Sequence, residues 1–133
     1  MKNKLLKKLV FIFLLAFFII VLFHTRIFQL KPKATITELQ DNEIIELASK
    51  ALESKDVPVG AILLYSNSII GSGYNTVRRD TNISGHAEIN AINDAIKKIG
   101  MDQFKKLDRD KLILVSTFEP CEMCKGTILH YEI

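Results

Sequence analysis

Two short segments hold the side chains most able to do chemistry: His86-Ala87-Glu88 and Pro120-Cys121-Glu122-Met123-Cys124. Taken alone, His86-Ala87-Glu88 says little. Two cysteines three apart at a helix start project their sulfurs toward one point, and the free N–H groups there favour thiolates. That pair alone also fits a redox dithiol, a structural disulfide, or two buried thiols packed as small apolar groups. A thioredoxin-like site, however, places its C-x-x-C after the first strand, and this one follows the third. Together, one imidazole and two thiolates supply three zinc ligands and leave a fourth position open, which separates catalytic from structural zinc. Two thiolates cancel the formal charge of the metal, so it acidifies bound water less than an all-histidine site does. A carboxylate that is not itself a ligand is then useful for taking the proton, and Glu88 is at hand. The expectation is one Zn2+ per chain on His86, Cys121 and Cys124, with Glu88 moving protons. A zinc that only holds the fold is the alternative.

These residues need elements to place them. Thr37 and Gln40 have capping-box spacing, with Asp41 as a second candidate cap. Ile44, Leu47, Ala48, Ala51 and Leu52 then repeat as the core stripe of a helix. Ser54 to Pro58 breaks it. Val59 to Tyr65 reads as a strand buried on both faces, because its apolar residues form a run and not an alternation. A turn at Ser66-Asn67 returns into a strand from Ser68 to Tyr74, an antiparallel hairpin. After a polar, irregular stretch from Asn75 to Gly85, a helix runs from about His86 to a stop at Gly100, with Ile89, Ile92, Ile96 and Ile99 as its apolar stripe. Leu112 to Thr117 is a third strand, and a last helix starts near Cys121. The order helix, hairpin, helix, strand, helix predicts a layered α/β domain with a mixed sheet.

Three strands are few for a sheet covered by helices. The chain also stops at Tyr131-Glu132-Ile133 without a polar tail or C-cap, so the domain reads as C-terminally truncated. At 133 residues there is room for one domain of ordinary size.

Composition divides the chain sharply. Seven of the 18 basic residues (Lys2, Lys4, Lys7, Lys8, Arg26, Lys31 and Lys33) fall in the first 33 positions, which hold none of the 15 acids. The remainder therefore carries eleven basic residues against fifteen acidic, a net of −4 behind the overall +3. Nucleic-acid grip usually needs a clustered positive footprint, and the domain shows none in sequence, so nucleic acid is an unfavoured partner. Leu9 to Phe23 is an unbroken apolar run; counting Leu5 and Leu6 it is just long enough to span a bilayer, and no small-residue cleavage site follows. The expectation is an N-terminal membrane anchor over 1–30, a linker over 31–40 and a domain over 41–133. That makes a single-pass membrane protein with a lipid bilayer as partner.

The ordered blocks Val57-Pro58-Val59-Gly60-Ala61, Asn75, His86-Ala87-Glu88 and Glu119-Pro120-Cys121-Glu122-Met123-Cys124 resemble the cytidine and deoxycytidylate deaminase superfamily, which carries an H-x-E…P-C-x-x-C signature. They are most similar to its branch of tRNA adenosine deaminases, guanine deaminases and bacterial cytosine deaminases. The resemblance covers about Asp41 to Ile133. It implies a three-layer cytidine-deaminase-like sandwich. It also implies His86, Cys121 and Cys124 as zinc ligands, Glu88 as proton shuttle, Asn75 as the residue that hydrogen-bonds the base, and the Gly60-Ala61 backbone as pocket wall. The implied reaction is hydrolytic deamination of a free base, nucleoside or nucleotide. The alternatives are tRNA adenosine-to-inosine deamination and a non-catalytic, membrane-anchored zinc protein. A homodimer is an open partner, and zinc held by thiolates favours the cytoplasmic side for the domain. Where many relatives carry D-P-T-A before the histidine, this chain has Thr81-Asn82-Ile83-Ser84-Gly85.

Overall fold

A computed structural model describes residues 11–18 and 35–133, and the chain divides into two compact units, Met1–Ala34 and Thr35–Ile133. In the first unit, residues 11–18 form a helix, α1. Among the described residues, no helix is long and apolar enough to cross a membrane. The expected transmembrane helix, with its bilayer partner and single-pass location, is corrected on that finding. The remainder of the apolar run from Leu9 to Phe23, and residues 31–34 of the expected linker, lie outside the described residues.

The second unit opens with α2 (Glu38–Glu53). Of the two candidate caps, Thr37 is used: its hydroxyl accepts from Gln40 N–H at 3.3 Å, and Gln40 Oε1 accepts from Thr37 N–H at 3.0 Å. The helix thus starts three residues ahead of Asp41. Gln40 also donates through Nε2 to Asn67 O at 2.8 Å, tying the start of α2 to the hairpin turn. Ile44, Leu47 and Ala51 face the core, whereas Leu52, expected among them, is exposed.

The hairpin is β1 (Gly60–Tyr65) and β2 (Ser68–Tyr74). Ser66 and Asn67 both take positive φ, 48° and 67°, the primed geometry that matches strand twist. β3 (Leu112–Ser116) completes the order β2-β1-β3. Both ladders are antiparallel, with Leu63 opposite Gly71 on one side and Leu114 on the other. The expectation of a mixed sheet is corrected for these strands. β2 and β3 run in the same direction, but β1 lies between them, so no neighbouring pair is parallel.

Each face of the sheet is covered, giving the expected three layers. Ile62 and Leu64 pack with Ile44 and Leu47 of α2. Leu63 packs with Ile92 and Ala95 of α3 (Ala87–Ile99) and with Phe104 and Leu112. The core side of α3 is Ala87, Ala91 and Ala95 with Ile92; Ile89, Ile96 and Ile99 of the expected stripe are only half-buried. Glycines opposite explain the choice. A Cβ on Gly71 would meet Ala91 O at 2.3 Å, and one on Gly73 would meet Ala91 N at 2.5 Å. The helix backbone therefore lies directly on β2, and only small residues fit between. A bulge supplies the register: Leu64 opposes Ile69 and Leu63 opposes Gly71, leaving Ile70 extra. Without it, Ile69 and Gly71 would point to the same face.

Gly100, at φ 84°, ends α3, and a short helix absent from the sequence reading, α4 (Met101–Lys106), follows at once. Its purpose in the core is Phe104, fully buried and edge-on to Tyr131 with ring centroids 5.7 Å apart. The last element is α5 (Glu122–His130).

Candidate active site

His86 and Cys121 are the N-cap residues of α3 and α5, and neither side chain caps its own helix. Each is free to turn outward. They meet at one point: His86 Nδ1 is 3.5 Å from Cys121 Sγ and 3.5 Å from Cys124 Sγ, and the two sulfurs are 3.7 Å apart. The cysteines are free thiols, not a disulfide. Zinc bonds of about 2.3 Å to sulfur and about 2.0 Å to nitrogen, held tetrahedrally, give edges of about 3.8 Å between sulfurs and about 3.5 Å from sulfur to nitrogen. The three donors already stand at the corners of one face of that tetrahedron. Zinc is the metal this donor set fits, as expected, and the three-ligand count leaves room for one more group.

The two thiols differ. Cys121 is exposed, and the Cys124 N–H pointing at its sulfur holds its pKa below the ordinary value against opposing burial, with the Cys124 thiol and the Met123 N–H adding to the effect. Cys124 is fully buried, and burial pushes its thiol well above the ordinary range, with the Glu88 carboxylate pushing further. Glu88 is itself only 4 % exposed, and its Oε2 accepts from Cys124 Sγ at 3.4 Å. It stands beside the donor trio without belonging to it.

A cavity of about 320 Å³ opens beside these residues, lined by His86, Ala87 and Glu88 on one side and by Asn75, Val59 and Phe118 on others. That is the low end of the range for small-molecule sites. Asn75 is buried, its N–H donates to Val59 O at 3.0 Å, and its Oδ1 has no partner in the protein. A buried acceptor left alone costs about 1–3 kcal/mol, so this one is suited to an N–H brought by a ligand.

Gly60 and Ala61 were expected to line the same cavity and do not. Ala61 faces Ala87 and Ala91, and a Cβ on Gly60 would meet Ile44 O of α2 at 2.4 Å. The polar groups of Gly60 are occupied by β3's end: its N–H donates to Thr117 Oγ1 at 3.1 Å, and its carbonyl accepts from Thr117 N–H at 3.0 Å. This pairing anchors the segment from Phe118 to Cys121 to β1.

Two residues that the sequence reading passed over frame the site. Asp56, only 4 % exposed, lines the cavity and accepts from Arg78 N–H at 2.7 Å, Arg79 N–H at 3.1 Å and the Ser54 hydroxyl at 2.7 Å. Burial pushes its carboxyl up, but those donors outweigh it and hold the pKa below its usual value. Asn90, one turn into α3, donates to the loop ahead of His86. In sequence, Asp56 lay inside the Ser54 to Pro58 break and Asn90 inside the helix after His86, with no pattern to single out either.

A family model described as the cytidine and deoxycytidylate deaminase zinc-binding region matches residues 38–133. A tRNA-specific adenosine deaminase 2 from Xenopus laevis is 32 % identical over 102 residues, which cover 74 % of this chain and 58 % of the frog protein. Among solved structures, one from a study of A-to-I editing by tRNA:A34 deaminases superposes with a TM-score of 0.62 at 30 % identity, covering 70 % of this chain and 68 % of that one. Guanine deaminase from Bacillus subtilis superposes with a TM-score of 0.56 at 31 % identity, covering 66 % and 54 %.

Proposed function

Because the chain belongs to the cytidine and deoxycytidylate deaminase family, we propose that its second unit, as part of the intact protein, replaces an amino group of a nucleobase with oxygen and releases ammonia. The observation that carries this reading is the tetrahedral face made by His86, Cys121 and Cys124, with Glu88 buried against it. Zinc bound there would polarise a water and make it easier to deprotonate.

The protein's own groups divide the remaining work. Glu88, shielded from bulk water, takes the proton from that water and delivers it to a ring nitrogen of the base. Asn75 Oδ1 accepts an N–H of the base and so fixes which ring edge faces Glu88. Val59, Val77 and Phe118 provide apolar walls for the ring. One water is consumed, the C–N bond breaks, and the amine nitrogen leaves as ammonia.

The substrate belongs to the class of free bases, nucleosides and nucleotides. The second reading, tRNA adenosine, is favoured by the frog relative and by the A34-deaminase structure, each named for acting on tRNA. The charge of −4 over residues 34–133 opposes it. Ammonia release by zinc-loaded protein across cytosine, guanine, adenosine, cytidine monophosphate and tRNA separates the two. Release from none of them removes the deaminase reading.

A further inference from the structure

Asn75 and His86 sit at the two ends of one irregular loop, so their relative position is only as fixed as the neck of that loop. The neck closes through Thr76 N–H donating to Gly85 O at 2.7 Å. Asn90 reaches it from outside. Its Nδ2 donates to Tyr74 O at 2.8 Å, to Thr76 Oγ1 at 3.1 Å and to Gly85 O at 3.3 Å. Tyr74 and Thr76 flank Asn75, and Gly85 precedes His86. Two carbonyls and a hydroxyl converging on one end of the side chain settle that this end is the NH2 group. The main-chain N–H of Asn90 meanwhile donates to His86 O at 2.9 Å. One residue of α3 thus holds both neighbours of the base-facing acceptor and the residue leading into the metal ligand.

We infer that Asn90 is a positioning residue that locks Asn75 to His86 by clamping the neck of the 75–86 loop onto α3. The inference rests on the deaminase reading for its catalytic consequence and on the hydrogen bonds alone for the clamp. An aspartate of the same shape would turn acceptor oxygens toward three oxygens, and alanine would leave Tyr74 O without this donor. In neither case is a metal donor or a residue of the cavity wall removed.

The test compares zinc-loaded full-length wild type with Asn90→Asp, Asn90→Ala and the milder Asn90→Ser, which keeps one donor and guards against loss of folding in the others. Amide exchange followed by mass spectrometry should quicken at least ~10-fold in peptides covering 75–86 while β1 and β3 keep their wild-type rates. Unchanged exchange in the loop, or equal loosening everywhere, overturns the clamp. On whichever of cytosine, guanine, adenosine or cytidine monophosphate the wild type deaminates, the variants should raise KM more than they lower kcat. The double variant Asn75→Ala/Asn90→Ala should be no worse than Asn75→Ala alone. Fully additive losses overturn the claim that Asn90 acts through Asn75. A wild type that deaminates none of these, and no tRNA either, sinks the proposed function, and the exchange result then still decides the clamp by itself.

Discussion

Cys124 Sγ lies 3.4 Å from Glu88 Oε2, with both side chains buried, and the thiol donates its proton to the carboxylate oxygen. The thiol must lose that proton to become a ligand. Burial raises its pKa far above the pH of any ordinary assay, so zinc uptake is coupled to proton release. Zinc titration calorimetry in buffers of different ionisation enthalpy should count at least one proton released per zinc. Apparent affinity should weaken ~10-fold or more for each pH unit lowered between 8 and 6. Uptake that releases no proton contradicts the buried-thiol account.

Glu88→Gln removes the carboxylate without touching a metal donor. Zinc content should stay at one per chain, while kcat for ammonia release falls ~10²–10⁴-fold. A variant that loses its zinc along with its turnover would place Glu88 among the ligands, against the geometry described above.

Asp56→Asn takes the charge from a carboxylate that accepts from two backbone N–H groups and a hydroxyl. The urea midpoint should drop at pH 7, and activity should drop with it because the loop bearing Arg78 and Arg79 loosens. The folded-state pKa lies below the ordinary value near 3.8, so the charged form stabilises the fold at pH values above that ordinary value. That stability fades as acid is added and the pH falls through the lower, folded-state pKa. Urea melts from pH 7 to pH 3 should show the gap between wild type and variant constant at first and narrowing only in the most acidic samples. A gap that closes by pH 6 would point to another group.

Gly73→Ala places a methyl where Ala91 N–H stands 2.5 Å away. The helix has to move, at a cost of about 1–3 kcal/mol in unfolding free energy. Because His86 and Glu88 ride on the first turn of that helix, zinc affinity should fall as well. Denaturation and metal competition together check this, and an Ala at 73 without effect on either would mean α3 is free to shift.

Much of the site was legible because it is written in residue types with few other uses. A histidine and a carboxylate at one helix start, with paired cysteines at another, are rarely brought together for packing, and the helix boundaries that place them carried clear signals in Gly100 and Pro120. The hairpin was equally clear, since Ser66-Asn67 lies between two apolar runs. What escaped was set by close approach. Nothing in the one-dimensional pattern says that Gly71 and Gly73 admit the backbone of α3, so Ile89, Ile96 and Ile99 looked like core residues when Ala87, Ala91 and Ala95, with Ile92, are. Asn90 and Asp56 were invisible because most of their partners are main-chain groups, and any residue supplies those. The expected transmembrane helix was read from hydropathy, which reports transfer free energy and not helix length; among the described residues no helix is long and apolar enough to cross a membrane.

The alanine face of α3 against the glycines of β2 has one more consequence. Long side chains at a helix–sheet contact change rotamer as temperature rises, and each change nudges the helix by a fraction of an ångström. At Gly71 and Gly73 the contact is with the main chain of Ala91, with no side-chain torsion between them to vary. His86 and Glu88 are therefore referenced to the sheet as to a rigid rule, and warming should blur the distant end of α3, where Ile96 and Ile99 lie, before it blurs the end that meets the cysteines.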